Sequence, residues 1–448
     1  MRREFVGVLK NAVSGIGFAP DAAMVVLPMG VFLPDGDLAP LKARRSDVYH
    51  GLTRWKLNAT RAGTSCMLRV EGLDYEDALS KANDLLTANH WSDGLPLWPA
   101  TPRRVEWILR GSCLPRAHVM GKFPPRGATV TPEACAVALA MAGGRPEYLP
   151  VLLAAVEAFL DLGSDSDQLQ ATSSSSPFPV IIVNGPIGKQ IRLNSGFGCL
   201  GPDPDHPAGA SIGRALRLMQ QNLGGALPGS GTMAVFGIMR YTNAVFAEDE
   251  DGLPQGWLPH GTERHGFARG SNSISLVFSN GAVNIFRQGA KAVSKEEETL
   301  QGLNRIAGYL RVPDMHYISG YESGMPGVLV ITRAIAATLA SLGWTKASIV
   351  GHLWQHSRIP MKEMHETGGV AYLEIAPTTL ARESIKLDPW PIAAKPADIG
   401  LVVAGGGHSS HALWLQALGP CVSGREIRIP EVFGELLTEA DTVRLPSA

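Results

Sequence analysis

The stretch VLVITRAIAATLASLGWTKASIVGHLWQHS (328–357) sets the reading of the fold. Val328 to Ile331 is a short apolar run between Pro326-Gly327 and Thr332, which predicts a buried strand. Arg333 to Leu342 predicts a helix, and Ala347 to Ser357 a second one. Working outward, Leu401 to Ala404 repeats the strand signal. On the N-terminal side, Ser273 to Ser279 predicts a strand. Glu296 to Leu310 predicts a helix with Leu300, Leu303, Ile306 and Leu310 in step. Strands and helices alternating at this spacing predict parallel pairing through crossover helices. The expected class is α/β, with mixed or mostly parallel sheets, flanking helices, and two or three subdomains.

The middle of the chain continues the pattern. Thr131-Pro132-Glu133 predicts a helix start, with Thr as N-cap and Pro at the first helical position. Pro146 to Asp161 reads as a helix, Val180 to Val183 as a strand ending at the turn Asn184-Gly185-Pro186. Ser211 to Leu223 reads as a helix with Ile212, Leu216, Met219 and Leu223 on one face, closed by Gly224-Gly225. Further upstream, Ala23 to Pro28 looks like a short strand and Tyr75 to Asn89 like a helix. No fixed-period repeat is found. These signals divide the chain into an N-terminal segment (1–90), a central α/β domain (91–285) and a C-terminal α/β domain (286–448).

Composition excludes some classes of function. The 448 residues carry 40 basic and 41 acidic side chains, a formal net charge of −1, so nothing neutralises a phosphate backbone wholesale and nucleic acid is not the expected partner. No stretch reaches the length of apolar residues needed to cross a bilayer, and no secretory signal is read at the start, so the expectation is a cytoplasmic protein without a membrane partner. Five scattered cysteines with no CxxC fit reduced thiols. Fifty glycines and 32 prolines predict many backbone-lined loops, which suits a binding site.

Four groups of residues carry candidate chemistry. The first is VVAGGGHSSHALWLQ (402–416), read as a strand, a turn at Gly405-Gly406-Gly407, then His408, Ser409 and Ser410, then a helix. Such a turn lets the backbone approach a ligand, and a helix start favours an anion. The second is the run from Asn184 to Leu218, where Asn184 and Asn194 offer amides and Arg214 a bidentate anion clamp. The third is histidine: His352 and His356 share one helix face and, with His365 or Glu366, form a possible divalent metal site, while His260, with Glu263 and His265, is an acid–base candidate. The fourth is Cys113, with Arg110, Arg116 and His118 near it in sequence to lower a thiol pKa. For each the bland alternative stands beside it: a tight turn, a solvated arginine, loop histidines, a core cysteine.

Several long segments also resemble one bacterial family. They are WSDGLPLWPATPRRVEWIL (91–109), GATVTPEACAVALAMAGGRPEYLPVLLAAVEA (127–158), VNGPIGKQIRLNSGFGCLGP (183–202), ASIGRALRLMQQNLGG (210–225) and WLPH (257–260). LGWTKASIVGHLWQHSRIP (342–360) and VVAGGGHSSH (402–411) resemble its C-terminal half. The family is the one related to selenoproteins with a U-G-S-C motif, and the likeness covers roughly three quarters of the chain, leaving out the first ninety residues. What it implies for members with that element is thiol or selenol chemistry. Here Gly111-Ser112-Cys113 is preceded by Arg110, so the element itself is not in place.

The leading expectation is a lyase or hydrolase acting on a small anionic metabolite. Arg214 and the Gly405–Ser410 loop would bind the anion, His260 or His408 would move the proton, and Asp93 and Glu147 would be carboxylate partners. A thiol-dependent redox or sulfur-transfer enzyme, working through Cys113 or Cys199, is the alternative. A non-catalytic partner subunit of a biosynthetic complex is a third. No cofactor is evident from the sequence, and a homo-oligomer is the general expectation for a soluble enzyme.

Overall fold

The computed structural model describes residues 6–15, 24–27, 37–54, 67–162, 174–175, 177–201, 203–227, 229–237, 242–286, 292–312, 326–376 and 378–442. Strands β1 (Gly121–Phe123) and β2 (Ala128–Val130) form a small antiparallel hairpin. Six more make one sheet: β3 (Phe178–Asn184), β4 (Ala244–Ala247), β5 (Ser273–Phe286), β6 (Gly327–Ile331), β7 (Gly400–Val403) and β8 (His411–Glu426). Their order is β4-β3-β5-β8-β6-β7. The outer pairs β3–β4 and β6–β7 are parallel, and the three inner pairings are antiparallel. The class is therefore mixed α/β, with parallel pairing confined to the two edges.

The sheet is built twice over. Strands β3, β4 and β5 are laid out as β6, β7 and β8 are: a central strand, a parallel strand outside it after a helical crossover, and an antiparallel strand on its other side. The registers agree as well. Val180 lies level with Ala244 and Val277, as Val328 does with Gly400 and Leu415. Ser279, two residues past Val277, pairs with Ala417, two residues past Leu415, so an approximate two-fold axis runs between them. The sequence shows no fixed period because the connections between equivalent strands differ in length.

Side chains alternate across the strands and feed three cores. Ile181, Val183, Val245, Ile274, Leu276 and Phe278 pack under the helices Pro132–Met141, Leu149–Asp161 and Ala208–Asn222. Leu329, Ile331, Leu401, Val403, Ala412 and Trp414 pack under Lys295–Leu310, Arg333–Ser341 and Lys346–His356. The opposite row, Val180, Ile182, Phe246, Val277, Val330, Val402 and Leu415, forms one core reaching from β4 to β7, because the sheet curls into a half-barrel. Where its outer edges approach, the Asp249 N–H donates to the Val403 carbonyl at 2.7 Å.

Most expected elements are present within a few residues of their predicted ends. Thr131 caps its helix as read, its hydroxyl accepting from the Ala134 N–H at 3.2 Å, with Pro132 opening the first turn. Two expectations fail. Residues 24–27 of the Ala23–Pro28 segment join no sheet, and its two ends lie outside the described residues. More consequentially, the residues after the glycine loop form strand β8 and not a helix. This strand lies between β5 and β6, hydrogen-bonded on both sides. Its side chains alternate between two cores, Ala412 and Trp414 into one, Leu415 and Ala417 into the other. A strand covered on both faces reads as an unbroken apolar run, which periodicity cannot separate from a buried helix. Segments 91–285 and 286–448 each supply three strands to this single sheet.

Candidate functional site

At the carboxyl ends of the parallel strands the inner row turns from apolar to polar. Asn184 follows Ile182, Glu248 follows Phe246, and Thr332 follows Val330, each in phase with the strand before it. Glu248 is the hub. Its carboxylate accepts from the Asn184 side-chain amide (2.7 Å), the His260 N–H (2.6 Å) and the Val403 N–H (3.3 Å), and stands 3.6 Å from the Lys346 ammonium. It thus ties β3, β4, β7 and two helices together. Burial pushes its carboxyl up, and Lys346 with the hydrogen bonds opposes that shift. Lys346 also donates to the Leu258 carbonyl at 2.7 Å and pairs with Glu263 at 3.3 Å. The short helix His260–His265 is capped from outside its own segment: Glu248 takes its first N–H and the Asn184 Oδ1 takes the Gly261 N–H at 3.0 Å.

This network fixes the fate of three expected residues. His260 is 2 % exposed, and burial, then the Lys346 charge, holds its pKa well below the ordinary histidine value. Its Nε2 has no hydrogen-bond partner among the described residues. A neutral, enclosed imidazole is no acid–base group for a substrate arriving from solvent. Asn184 uses both ends of its amide inside the protein. Asn194 does the same, holding the Phe197 carbonyl, Asp203 and the Gly196 N–H.

Outside this buried layer, two loops far apart in sequence clasp each other. The Gly405 N–H donates to the Ser195 carbonyl at 2.9 Å, and Phe197 lies against Gly406. Gly405 and Gly406 have φ of +93° and +80°, and a Cβ on Gly406 would come within 3.0 Å of the Phe197 nitrogen. Both positions therefore require glycine. The loop is held from below as well: the Thr332 hydroxyl donates to the His408 carbonyl at 2.5 Å and the Arg333 N–H to the Gly406 carbonyl at 3.0 Å. Gly407, His408 and Ser409 are exposed. The His408 Nδ1 lies 2.8 Å from the Ser410 hydroxyl and takes a longer contact from the Ser410 N–H. Arg333, about half exposed, forks onto Asp249 through Nε and Nη2, both at 2.8 Å.

No family model matches the chain, and no curated protein matches it.

The remaining expected residues stand elsewhere. Arg214 and Asp93 do meet, but in a fork, with Nε and Nη2 each 2.9 Å from a carboxylate oxygen. Burial would raise the Asp93 carboxyl, but Arg214 outweighs it and holds the group below the usual carboxylate range. Among the described residues neither is bonded to a histidine, and the clamp expected of Arg214 is already filled. Glu147 is buried against Arg145, away from the glycine loop. Cys113 is exposed, yet burial of its thiol outweighs Arg428 and raises its pKa. The cations expected to activate it are engaged elsewhere, Arg110 with Glu439 and Arg116 with Glu106 and Glu133. Burial pushes the Cys199 thiol up to about 11. His352 and His356 stack at 4.1 Å between ring centroids, and the His352 Nε2 faces Asn304. Among the described residues no group of three or more His, Cys, Asp or Glu side chains is placed to hold a metal ion.

Sequence reasoning missed Glu248, Asp249, Lys346, Thr332 and Arg333. A signal existed for two of them: the acidic run EDED (248–251) begins immediately after an apolar strand. Lys346 sits in an ordinary helix start and carries no such mark.

Proposed function

We propose that the chain is a small-molecule enzyme of lyase or hydrolase type, acting on an anionic metabolite at the outer side of the Gly405–Ser410 loop. The observation that supports this reading is the clasp between that loop and the Ser195–Phe197 loop at the carboxyl ends of the edge strands, the place where open α/β sheets bind ligands. The exposed backbone of Gly407 and the unforked Nη1 of Arg333 take over the anion-holding role first read into Arg214. His408 is the proton-transfer residue. The Nδ1 faces the Ser410 hydroxyl at 2.8 Å, which leaves Nε2 as the nitrogen for a substrate. Protonated, the ring keeps its Nδ1–H on that hydroxyl and gives its Nε2 proton to a leaving oxygen or nitrogen. The U-G-S-C-related group is the proposed affiliation. The raised thiols of Cys113 and Cys199 favour this reading over thiol chemistry.

The test is a screen of hydrolase and lyase probes (p-nitrophenyl esters and phosphates, small hydroxy- and dicarboxylates) followed by His408→Gln and Arg333→Gln. His408→Gln is expected to lower kcat by about 10²–10⁴-fold, with the unfolding temperature unchanged. Arg333→Gln is expected chiefly to raise KM. Unchanged turnover in both variants overturns the site. Ligand-dependent thermal stabilisation with no turnover on any probe instead favours a binding subunit.

A further inference from the structure

Arg217 lies one turn beyond Arg214 on the helix Ala208–Asn222 and is 8 % exposed. Its Nη1 is buried with no hydrogen-bond partner among the described residues. Its Nη2 makes one long bond, 3.4 Å, to the Ala226 carbonyl. The carboxylate whose charge it feels is Asp93, and both oxygens of Asp93 are forked by Arg214. A buried guanidinium and a partly buried one therefore share one carboxylate. An arginine removed from water without a counter-charge is strongly unfavourable, and its fork of donors suits a planar or tetrahedral oxyanion.

A second arginine reaches the same turn. The Arg126 backbone N–H donates to the Gly224 carbonyl at 3.1 Å, and the Arg126 side-chain Nε lies 2.9 Å from where a Cβ on Gly225 would sit. That Nε holds Asn11, a neutral amide, at 2.9 Å. Arg126 makes no ion pair with a carboxylate among the described residues, and Gly225 has a φ of +69° that keeps the turn free of a side chain. The turn Gly224–Ala226 thus has two arginines directed at it, and among the described residues no carboxylate is bonded to either.

We propose that this turn is a binding site for a small oxyanion of phosphate size, held between Arg217 and Arg126. It is separate from the glycine-loop site and does not depend on it. The anion would supply the counter-charge that Asp93 cannot, through charge-assisted bonds from both side chains.

The experiment is equilibrium dialysis of radiolabelled inorganic phosphate against the full chain at low chloride. It is paired with thermal unfolding in phosphate against sodium chloride of equal ionic strength. The expected result is close to one phosphate per chain and a phosphate-specific rise in unfolding temperature. Arg217→Met is expected to abolish both, and to unfold no lower than the parent in phosphate-free buffer, since it removes an unbalanced buried charge. Arg126→Gln, which alters a less buried residue, is expected to weaken binding at least tenfold and guards against misfolding of the first variant. Arg333→Gln, at the other site, is expected to leave phosphate binding intact. No bound phosphate in the parent overturns the proposal. So does binding that survives both Arg217→Met and Arg126→Gln, or that is lost only in Arg333→Gln.

Discussion

The two halves of the sheet share a topology and a register, yet their strand ends are finished in opposite ways. After β4 the chain reads Glu248-Asp249-Glu250; at the same count after β7 it reads Ala404-Gly405-Gly406. The first end is filled by its own carboxylates, which hold Asn184, the Gly185 N–H, His260 and Arg333. The second end carries no side chain beyond a methyl and is held by backbone carbonyls, leaving an exposed loop above it. One half has closed its strand end with charge; the other has kept it open with glycine.

The largest way to break this contrast is to empty the filled end. Glu248→Ala leaves Lys346 buried beside a lost partner and frees several donors at once. It is expected to cost about 3–5 kcal/mol, the range for removing one member of a buried charged pair, measured by urea unfolding. A loss below about 1 kcal/mol would mean that the seam does not depend on this carboxylate. The converse test fills the open end. Gly406→Val places a branched side chain at φ +80° against Phe197 and is expected to cost about 1–3 kcal/mol. Turnover should fall with it, and a variant of parental stability would show that the clasp is loose.

A pH series sharpens the comparison further. His260 and His265 both belong to the filled end, and burial holds both below the ordinary value, His265 to about 4. Below about pH 6.5 the unfolded chain takes up protons that the native state does not. Stability therefore falls as pH falls from near 7, by up to about 1.4 kcal/mol per pH unit for the fully buried His260. His260→Gln should flatten that slope between pH 7 and 5, and an unchanged slope would reject the assignment. The smallest effect is expected far from either end: His352→Ala should stay within about 0.5 kcal/mol and leave zinc binding, followed by dialysis, where it was.

The glycine loop and the strand ends were visible in the sequence because their signals are local. Positive φ requires glycine wherever the rest of the chain goes, and Thr131-Pro132 starts a helix through contacts within one turn. Strand β8 was misread because its neighbours, β5 and β6, lie far off in sequence, and only their two ladders decide between strand and helix. Arg214 was read as a bidentate clamp for an anion, and the carboxylate in its fork is Asp93, set more than a hundred residues earlier. The sequence could show the fork but not what fills it.

Taken alone, the order of residues determined the mixed α/β class, most element positions, and the placing of glycine at a turn that needs it. These follow from backbone sterics and from apolar spacing, which act over a few residues. The tertiary structure alone decided the two-fold doubling of the sheet, the burial of His260, and the gathering of Glu248, Asn184 and Lys346 at one seam. Those depend on which distant strands meet, because a charge or hydrogen bond takes its strength from the groups around it once water is excluded.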